Sequence, residues 1–344
     1  MRRRVTLKDV ARKSGLAVAT VSAICRGKGD FFHISRKTQE RVLRIAEKMG
    51  YRRNSLAFSL RTGSSNFVAV LGRTFRIPVT QERQNFIAQL FIHLGFQALL
   101  YDFHWFDGKE EELLHTVEEI PCAGMVVSDV NTRRLFQTLR QGQTRLPCVL
   151  VDSEYHAGLD HVYLDRSSVS YLAASHLLKT GYTRIVYTIP VEKKFWLLQE
   201  RRRGFVRAMA EAGRQASQAN FLWVESEGKF SYQIGLELGE KIATSRKKPE
   251  AVMALNDQIA IGLMRGLQRR GLRVPEDIAL VGSENLPEGE FCQVPLTSVD
   301  FRVKEVAQQT VELFRRRLSG DWSDFPKEIV VQPELVIRSS CGCR

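Results

Sequence analysis

Val5-Thr-Leu-Lys-Asp-Val-Ala-Arg-Lys-Ser-Gly-Leu-Ala-Val-Ala-Thr-Val-Ser22 is the stretch that decides the reading of this chain, because it spells two short helices joined by a tight turn. Thr6 and Asp9 stand three residues apart, the spacing at which a hydroxyl and a carboxylate each satisfy a free amide at a helix start. Leu7, Val10 and Ala11 then repeat as one apolar stripe, which predicts a helix over residues 7–14. Gly15 suits a left-handed turn, and a second helix is expected from about Ala17 through Ile24. In such helix-turn-helix motifs the start of the second helix reaches base edges in the major groove, while amides and cations fix the register on phosphates.

Working outward, the charge agrees. Residues 1–61 hold 16 Lys and Arg against 4 Asp and Glu, whereas the other 283 residues hold 35 against 34. Almost the whole net charge of +13 therefore sits on one module. Clustered cations of this kind displace condensed counterions from a phosphate backbone. A solvated basic helix or a membrane-surface patch is the alternative that charge alone leaves open, and the motif decides for DNA. After the loop from Gly27 to His33, Ser35 caps a third helix with Val42, Ile45, Ala46 and Met49 at core spacing, stopped by Gly50. Phe31 and Phe32 are expected to pack into this small core. The small polar residues from Thr62 to Asn66 mark a domain boundary.

The rest of the chain is ordinary globular material, 44% hydrophobic and 26% charged, and long enough for two or three domains. No apolar run approaches a membrane span, and Arg2-Arg3-Arg4 leads directly into an amphipathic helix, so a cytoplasmic protein without a secretion signal is expected. Six scattered cysteines suit a reducing compartment, and Cys341-Gly-Cys343 reads as a pair of surface thiols. No metal or cofactor is implied.

From Asn66 onward apolar runs alternate with amphipathic ones. Strands are expected at 67–71, 96–101, 124–127 and 147–152, with helices at 86–94 and 110–120; a second series brings helices at 167–180, 201–212, 231–245 and 257–270 and strands at 184–188, 221–224, 251–254 and 278–282. Residues 297–299 and a helix at 303–318 close the chain. This is an α/β, doubly wound pattern in two lobes that can close over a small molecule. The expected domains are a helix-turn-helix headpiece at 1–53, a hinge and linker at 54–65, and an effector-binding and dimerisation domain at 66–344. Its N-lobe would take about 66–163 and 300–325, and its C-lobe about 164–297 and 326–340. No phosphate loop, nucleophile elbow or metal-ligand cluster appears, which argues against an enzyme.

Over essentially its whole length the chain resembles the LacI/GalR family of bacterial transcription regulators. The resemblance is carried by Val5-Thr-Leu-Lys-Asp-Val-Ala11, Thr20-Val-Ser22, Lys37-Thr-Gln-Glu-Arg-Val42, Gly50-Tyr51, and Asn54 with Leu56-Ala57 and Leu60. It implies an all-α DNA-binding headpiece, a periplasmic-binding-protein-like (type I) effector domain, a homodimer on near-palindromic double-stranded operator DNA, and control by a small, sugar-like effector. It places Thr6, Leu7, Val18, Ala19, Thr20, Ser22, Ala23, Arg26 and Lys28 at the DNA. Asn54, Ala57 and Leu60 would belong to a hinge helix that orders on DNA, with Leu60 as a minor-groove wedge, its plain alternative being a linker residue. Ala23 and Arg26 stand where relatives carry Arg and Asn, so the usual arginine readout at position 23 is absent, and Val18, Ala19 and Ala23 would meet thymine methyls.

For the effector, the resemblance points to Arg73, Asp152, Arg201, Phe230, Asn256, Asp257 and Glu284, mostly on loops after strands, where ligands of open parallel sheets bind. Carboxylates and guanidinium groups would hold hydroxyls, with an aromatic face on the ring. Asp257 also fits a plain helix-start carboxylate, two of Arg201, Arg202 and Arg203 fit surface charge, and Phe195 and Trp196 fit either the cleft or a lobe interface. A solute-binding protein sharing only the two-lobed fold is the competing reading, opposed by the basic headpiece.

Overall fold

The computed structural model describes residues 5–25, 27, 29–51, 65–73, 77–103, 109–130, 133–141, 146–190, 196–224 and 231–342. The chain divides into two compact units, Met1–Asn66 and Phe67–Arg344.

Among its described residues the first unit holds three helices: α1 (Leu7–Ser14), α2 (Val18–Cys25) and α3 (Arg36–Lys48). Thr6 and Asp9 form the expected capping box, with the Thr6 amide donating to Asp9 Oδ2 at 2.9 Å and the Asp9 amide to Thr6 Oγ1 at 3.4 Å. Gly15 takes φ 70°, a conformation costly for any residue with a Cβ, and this turns the chain into α2. Ser35 caps α3 through the amide of Thr38. Val10, Ala11, Val21, Ile24, Val42 and Ala46 form the core. Phe31 and Phe32 do not join it: they are 77% and 53% exposed, edge to face with each other. Gln39 holds their loop outward by donating to Asp30 Oδ1 and the Ile34 carbonyl, so the loop is shaped by polar contacts rather than by aromatic burial.

The second unit contains two six-stranded sheets. Strands β1 (Phe67–Gly72), β2 (Gln97–Asp102), β3 (Gly124–Ser128), β4 (Cys148–Val151) and β5 (Asp160–Leu164) combine with the late β11 (Glu328–Val331) in the order β11-β5-β4-β3-β1-β2, all parallel. Strands β6 (Ile185–Pro190), β7 (Phe221–Val224), β8 (Ala251–Met253), β9 (Ala279–Glu284) and β10 (Thr297–Asp300) combine with β12 (Glu334–Val336) in the order β12-β10-β9-β8-β6-β7, where only β12 runs antiparallel. The helices between them are α4 (Pro78–His93), α5 (Glu110–Glu118), α6 (Arg133–Gln141), α7 (Arg166–Lys179), α8 (Trp196–Glu211), α9 (Ser231–Thr244), α10 (Asp257–Arg269), the single turn α11 (Pro287–Glu290) and α12 (Val303–Leu318). In each sheet the strand order reverses beside the first strand, between β1 and β3 and between β6 and β8. Such switch points open crevices at the carboxyl ends of strands.

The last crossing between lobes falls between Val331 and Glu334, not near residue 325, because β11 pairs with β5 before the chain returns to pair β12 with β10. β5 itself, Asp-His-Val-Tyr-Leu, escaped the apolar-run criterion because it opens on a buried carboxylate. Asp160 is 0% exposed and receives Arg317 of α12, 2.7 Å from Nε to Oδ2, with the Lys327 amide at 2.8 Å. The Cys341 thiol is buried, in a single 3-10 turn over Ser339–Cys341, rather than exposed; Cys343 lies outside the described residues.

Candidate DNA-reading face and effector cleft

At the headpiece, α2 offers Val18 (41% exposed) and Ala19 to solvent, with Thr20 partly exposed. Ser22 and Ala23 face inward at 9% and 4%, so the Ala23 methyl packs inside the unit and is not available to a thymine. Sequence alone placed both at the DNA; at 3.6 residues per turn, Val18, Ala19, Thr20, Ser22 and Ala23 cannot all share one face of α2. Thr6 is exposed and caps α1, while Leu7 packs against the small core. Arg26, Lys28, Asn54, Ala57 and Leu60 lie outside the described residues.

In the second unit, charged groups gather at the carboxyl ends of the strands. Asp152 follows β4 with φ 47° and is 2% exposed. Its Oδ1 accepts from the Leu164 amide at 2.9 Å; its Oδ2 accepts from Arg83 Nη1 of α4 and from Arg166 Nη2 of α7, the latter at 2.7 Å. Burial pushes this carboxyl up, but Arg166, Arg83 and the Leu164 amide together outweigh it and hold Asp152 below the ordinary carboxylate range. Asp129, after β3 with φ 60°, takes Arg83 Nη2 at 3.2 Å, and here burial prevails and raises the carboxyl.

The facing sheet contributes Arg201, from α8. It is 6% exposed, donates Nη1 to the Leu255 carbonyl at 2.5 Å, and lies 5.2 Å from the centre of the Phe301 ring, over which Arg166 also stacks at 4.7 Å. Cation–π contact gives both guanidinium groups a partner that leaves N–H donors unused. Arg202 and Arg203 are exposed, as expected of surface charge. Gly204 brings α8 against α7, since a Cβ there would collide with the Ser167 carbonyl. Glu284 ends β9 with φ 111°; burial and the nearby Asp257 raise its carboxyl to about 8 against the pull of Arg201 and Arg166. Left-handed backbone at Asp129, Asp152 and Glu284 costs energy, and such strain concentrates where a site needs an exact side-chain direction.

Two residues expected at the ligand do structural work. Asp257 is 0% exposed and both its oxygens are used within the lobe, Oδ1 by the Ser298 hydroxyl at 2.6 Å and Oδ2 by the Leu286 amide at 2.7 Å. It clamps the loop after β9 and is neither a free ligand group nor a simple helix cap. Asn256 is the cap of α10, its Oδ1 accepting from the Ile259 amide at 2.8 Å, which leaves the side-chain NH₂ for other use. Arg73 directly follows β1 and is partly exposed. Phe230 and Phe195 lie outside the described residues.

Sequence reading missed Arg83, Asp129, Arg166 and Phe301. Arg83 lies in the second turn of α4 and Arg166 opens α7, and a charged residue at either place looks like surface charge; only the three-dimensional convergence on Asp152 reveals them. Among the described residues no group of three or more His, Cys, Asp or Glu could hold a metal ion, and no helix is long and apolar enough to cross a membrane.

Comparison with known proteins matches a domain within each of the two units. Residues 6–54 match the bacterial regulatory proteins of the lacI family, and residues 174–341 match the periplasmic binding protein-like domain. The HTH-type transcriptional repressor PurR of Vibrio parahaemolyticus is 28% identical across 97% of this chain and 98% of its own. The HTH-type transcriptional regulator DegA of Bacillus subtilis is 27% identical across 98% of each. Among solved structures, the lac repressor dimer bound to operator and the anti-inducer ONPF superposes with a TM-score of 0.82 at 20% identity, covering 98% of this chain and 99% of that one. The complex of the regulator CelR with cellobiose gives 0.68 at 23% identity, covering 98% and 100%. Headpiece, two-sheet unit and near full-length relatives agree: the chain joins a DNA-binding domain of the lacI type, over residues 6–54, to a periplasmic binding protein-like domain, over residues 174–341.

Proposed function

We propose that this chain is a dimeric transcriptional repressor whose grip on a near-palindromic operator is set by a small, sugar-like effector bound between its two lobes. The observation that carries the reading is the pairing of a separate, strongly basic helical unit with a second unit whose buried charged groups converge on the carboxyl ends of its strands. DNA recognition rests on Val18, Ala19 and Thr20, with Thr6 at a helix start suited to phosphate. Asn54, Ala57 and Leu60 serve as the hinge, Leu60 wedging into the minor groove. Arg201, Asn256, Glu284, Arg73 and Phe230 line the effector side, and Asp152 organises the arginines around it. Effector binding favours one lobe arrangement and so changes the fraction of dimers competent for DNA.

Selection of genomic fragments by the purified chain at low salt tests this directly. Enrichment of a near-palindrome, with affinity falling about a thousandfold or more between roughly 50 and 200 mM salt, is expected for six or more phosphate contacts per dimer. A chain that enriches no duplex under these conditions is not a repressor.

A further inference from the structure

Where β1, β3 and β4 end, the protein leaves more buried donors than acceptors. Arg83 is 4% exposed and Arg166 8%; Nη1 and Nη2 of the first and Nη2 of the second are used by Asp152 and Asp129, but the Nε of each has no partner among the described residues. Gln84, next to Arg83 and 4% exposed, likewise has its Nε2 unpartnered, as does the Oγ of Ser128 at the last position of β3. Gln84 lies over the end of β1, for a Cβ on Gly72 would collide with its Nε2 and touch Ser128 Cβ. The carboxylates nearby already serve the arginines: both oxygens of Asp152 are taken by Leu164, Arg83 and Arg166, and Asp129 Oδ2 accepts from Arg83.

A neutral polyol alternates donors and acceptors and would need free carboxylates to receive its hydroxyl protons. Here Asp152 is fully taken and Asp129 already holds Arg83, so the unpartnered N–H groups of Arg83, Arg166 and Gln84 outnumber the acceptors left beside them, chiefly the second oxygen of Asp129 and the Ser128 hydroxyl. Buried N–H groups without partners are costly, and the ligand that relieves several at once is rich in acceptor oxygens and carries negative charge.

We propose that the effector of this chain bears an oxyanion, a phosphate ester or a carboxylate, and that Arg83, Arg166 and Gln84 receive it at the β1–β3 switch point. The proposal rests on the reading of the cleft as an effector site and deepens it. A sugar moiety would then extend toward Arg201, Asn256 and Glu284 on the facing lobe, so the anion fixes the orientation of the whole molecule.

Hydrogen exchange of the full chain, followed by mass spectrometry, tests it with four probes at matched ionic strength: inorganic phosphate, glucose 6-phosphate, gluconate and glucose. Slower exchange in peptides covering 124–130, 148–153 and 160–170 is expected with the anionic probes and not with glucose. Protection by the two phosphate probes assigns the source to a phosphate ester, and protection by gluconate assigns it to a carboxylate; both support the proposal. Arg83→Lys and Arg166→Lys keep the charge that Asp152 needs but remove the guanidinium donors, and each should raise the half-protecting concentration about tenfold. Their unliganded exchange, matching the wild type elsewhere, shows that the fold is intact.

Glucose protecting these peptides as well as glucose 6-phosphate, or an unchanged response in both lysine variants, overturns the oxyanion and leaves a neutral effector in the cleft. Protection confined to residues 5–51, among the headpiece cations, overturns it as well. Failure of the DNA selection described above would instead remove the regulatory reading, whichever probe binds.

Discussion

Glu284 shows how much of the effector site depends on surroundings that no single residue announces. Its place after a predicted strand marked it as a ligand candidate, yet the raised carboxyl follows from burial and from Asp257 behind it. A carboxylic acid whose folded pKa of about 8 exceeds its ordinary 4.5 keeps its proton in the folded state while the unfolded chain has lost it, so stability falls as pH rises through this range. His161 acts oppositely: burial and His156 hold it down to about 3, so it withdraws stability below its ordinary 6.5. Between pH 6.5 and 8 the acidic contribution therefore stands clear of His161. Urea unfolding of the second unit should lose about 2 kcal/mol across this window, and Glu284→Gln should remove most of the slope. An unchanged slope in the variant would show that Glu284 is ionised throughout. Arg201 was legible because its spacing to Gly204 is a linear pattern, whereas Arg83 and Arg166 were not, because their meaning lies in Asp152, 69 and 14 residues away.

Periodicity served well for elements with one apolar face and badly where a charge is buried. α1, α3, α9 and α12 matched their expected spans within a residue or so, whereas α4 begins at Pro78, eight residues before the expected start, and buries Thr80, Arg83 and Gln84 on the turn that the apolar criterion rejected. The packing of α9 on α10 was equally hidden. Gly235 and Gly239 face Gly262 and Gly266 so closely that a Cβ at Gly262 would collide with the Tyr232 carbonyl, backbone against backbone. At an exposed helical glycine, alanine adds about 1 kcal/mol of stability. At Gly262 the sign reverses: Gly262→Ala should destabilise the second unit by about 1–3 kcal/mol, and a stabilised variant in thermal unfolding would show that the two helices do not touch there. Arg317 ties α12 to β5 with its side chain 0% exposed beside Asp160. Arg317→Ala leaves that carboxylate buried without its cation, for an expected loss of about 3–5 kcal/mol, whereas an Asp160→Asn, Arg317→Met pair should cost less than the sum of its parts. Additive losses would mean that the ion pair is not coupled.

At the scale of the molecule, the charge distribution in the sequence already separates the two compact units of the structure. The border at Asn66 coincides with the run of small polar residues after Arg61, and the basic excess of 12 lies on the headpiece side of it. Headpiece core and effector cores share no residue, for Val10 to Ala46 form one cluster and the clusters of the second unit begin at Phe67. A chain starting at residue 66 should therefore keep its apolar clusters, both sheets and every polar contact around Asp152, Arg201 and Glu284, while losing nearly all of the net positive charge. Such a truncation is expected to unfold at the same urea midpoint as the second unit of the full chain and to give the same effector-dependent exchange protection. It should also fail to shift any duplex, even at low salt, because the phosphate-binding term resides in the removed cations. Residual DNA binding with a steep salt dependence would place a second cationic surface on the effector unit. Loss of the effector response together with DNA binding would mean that the cleft needs the headpiece to hold its shape, and that the independence implied by the two separate cores is wrong.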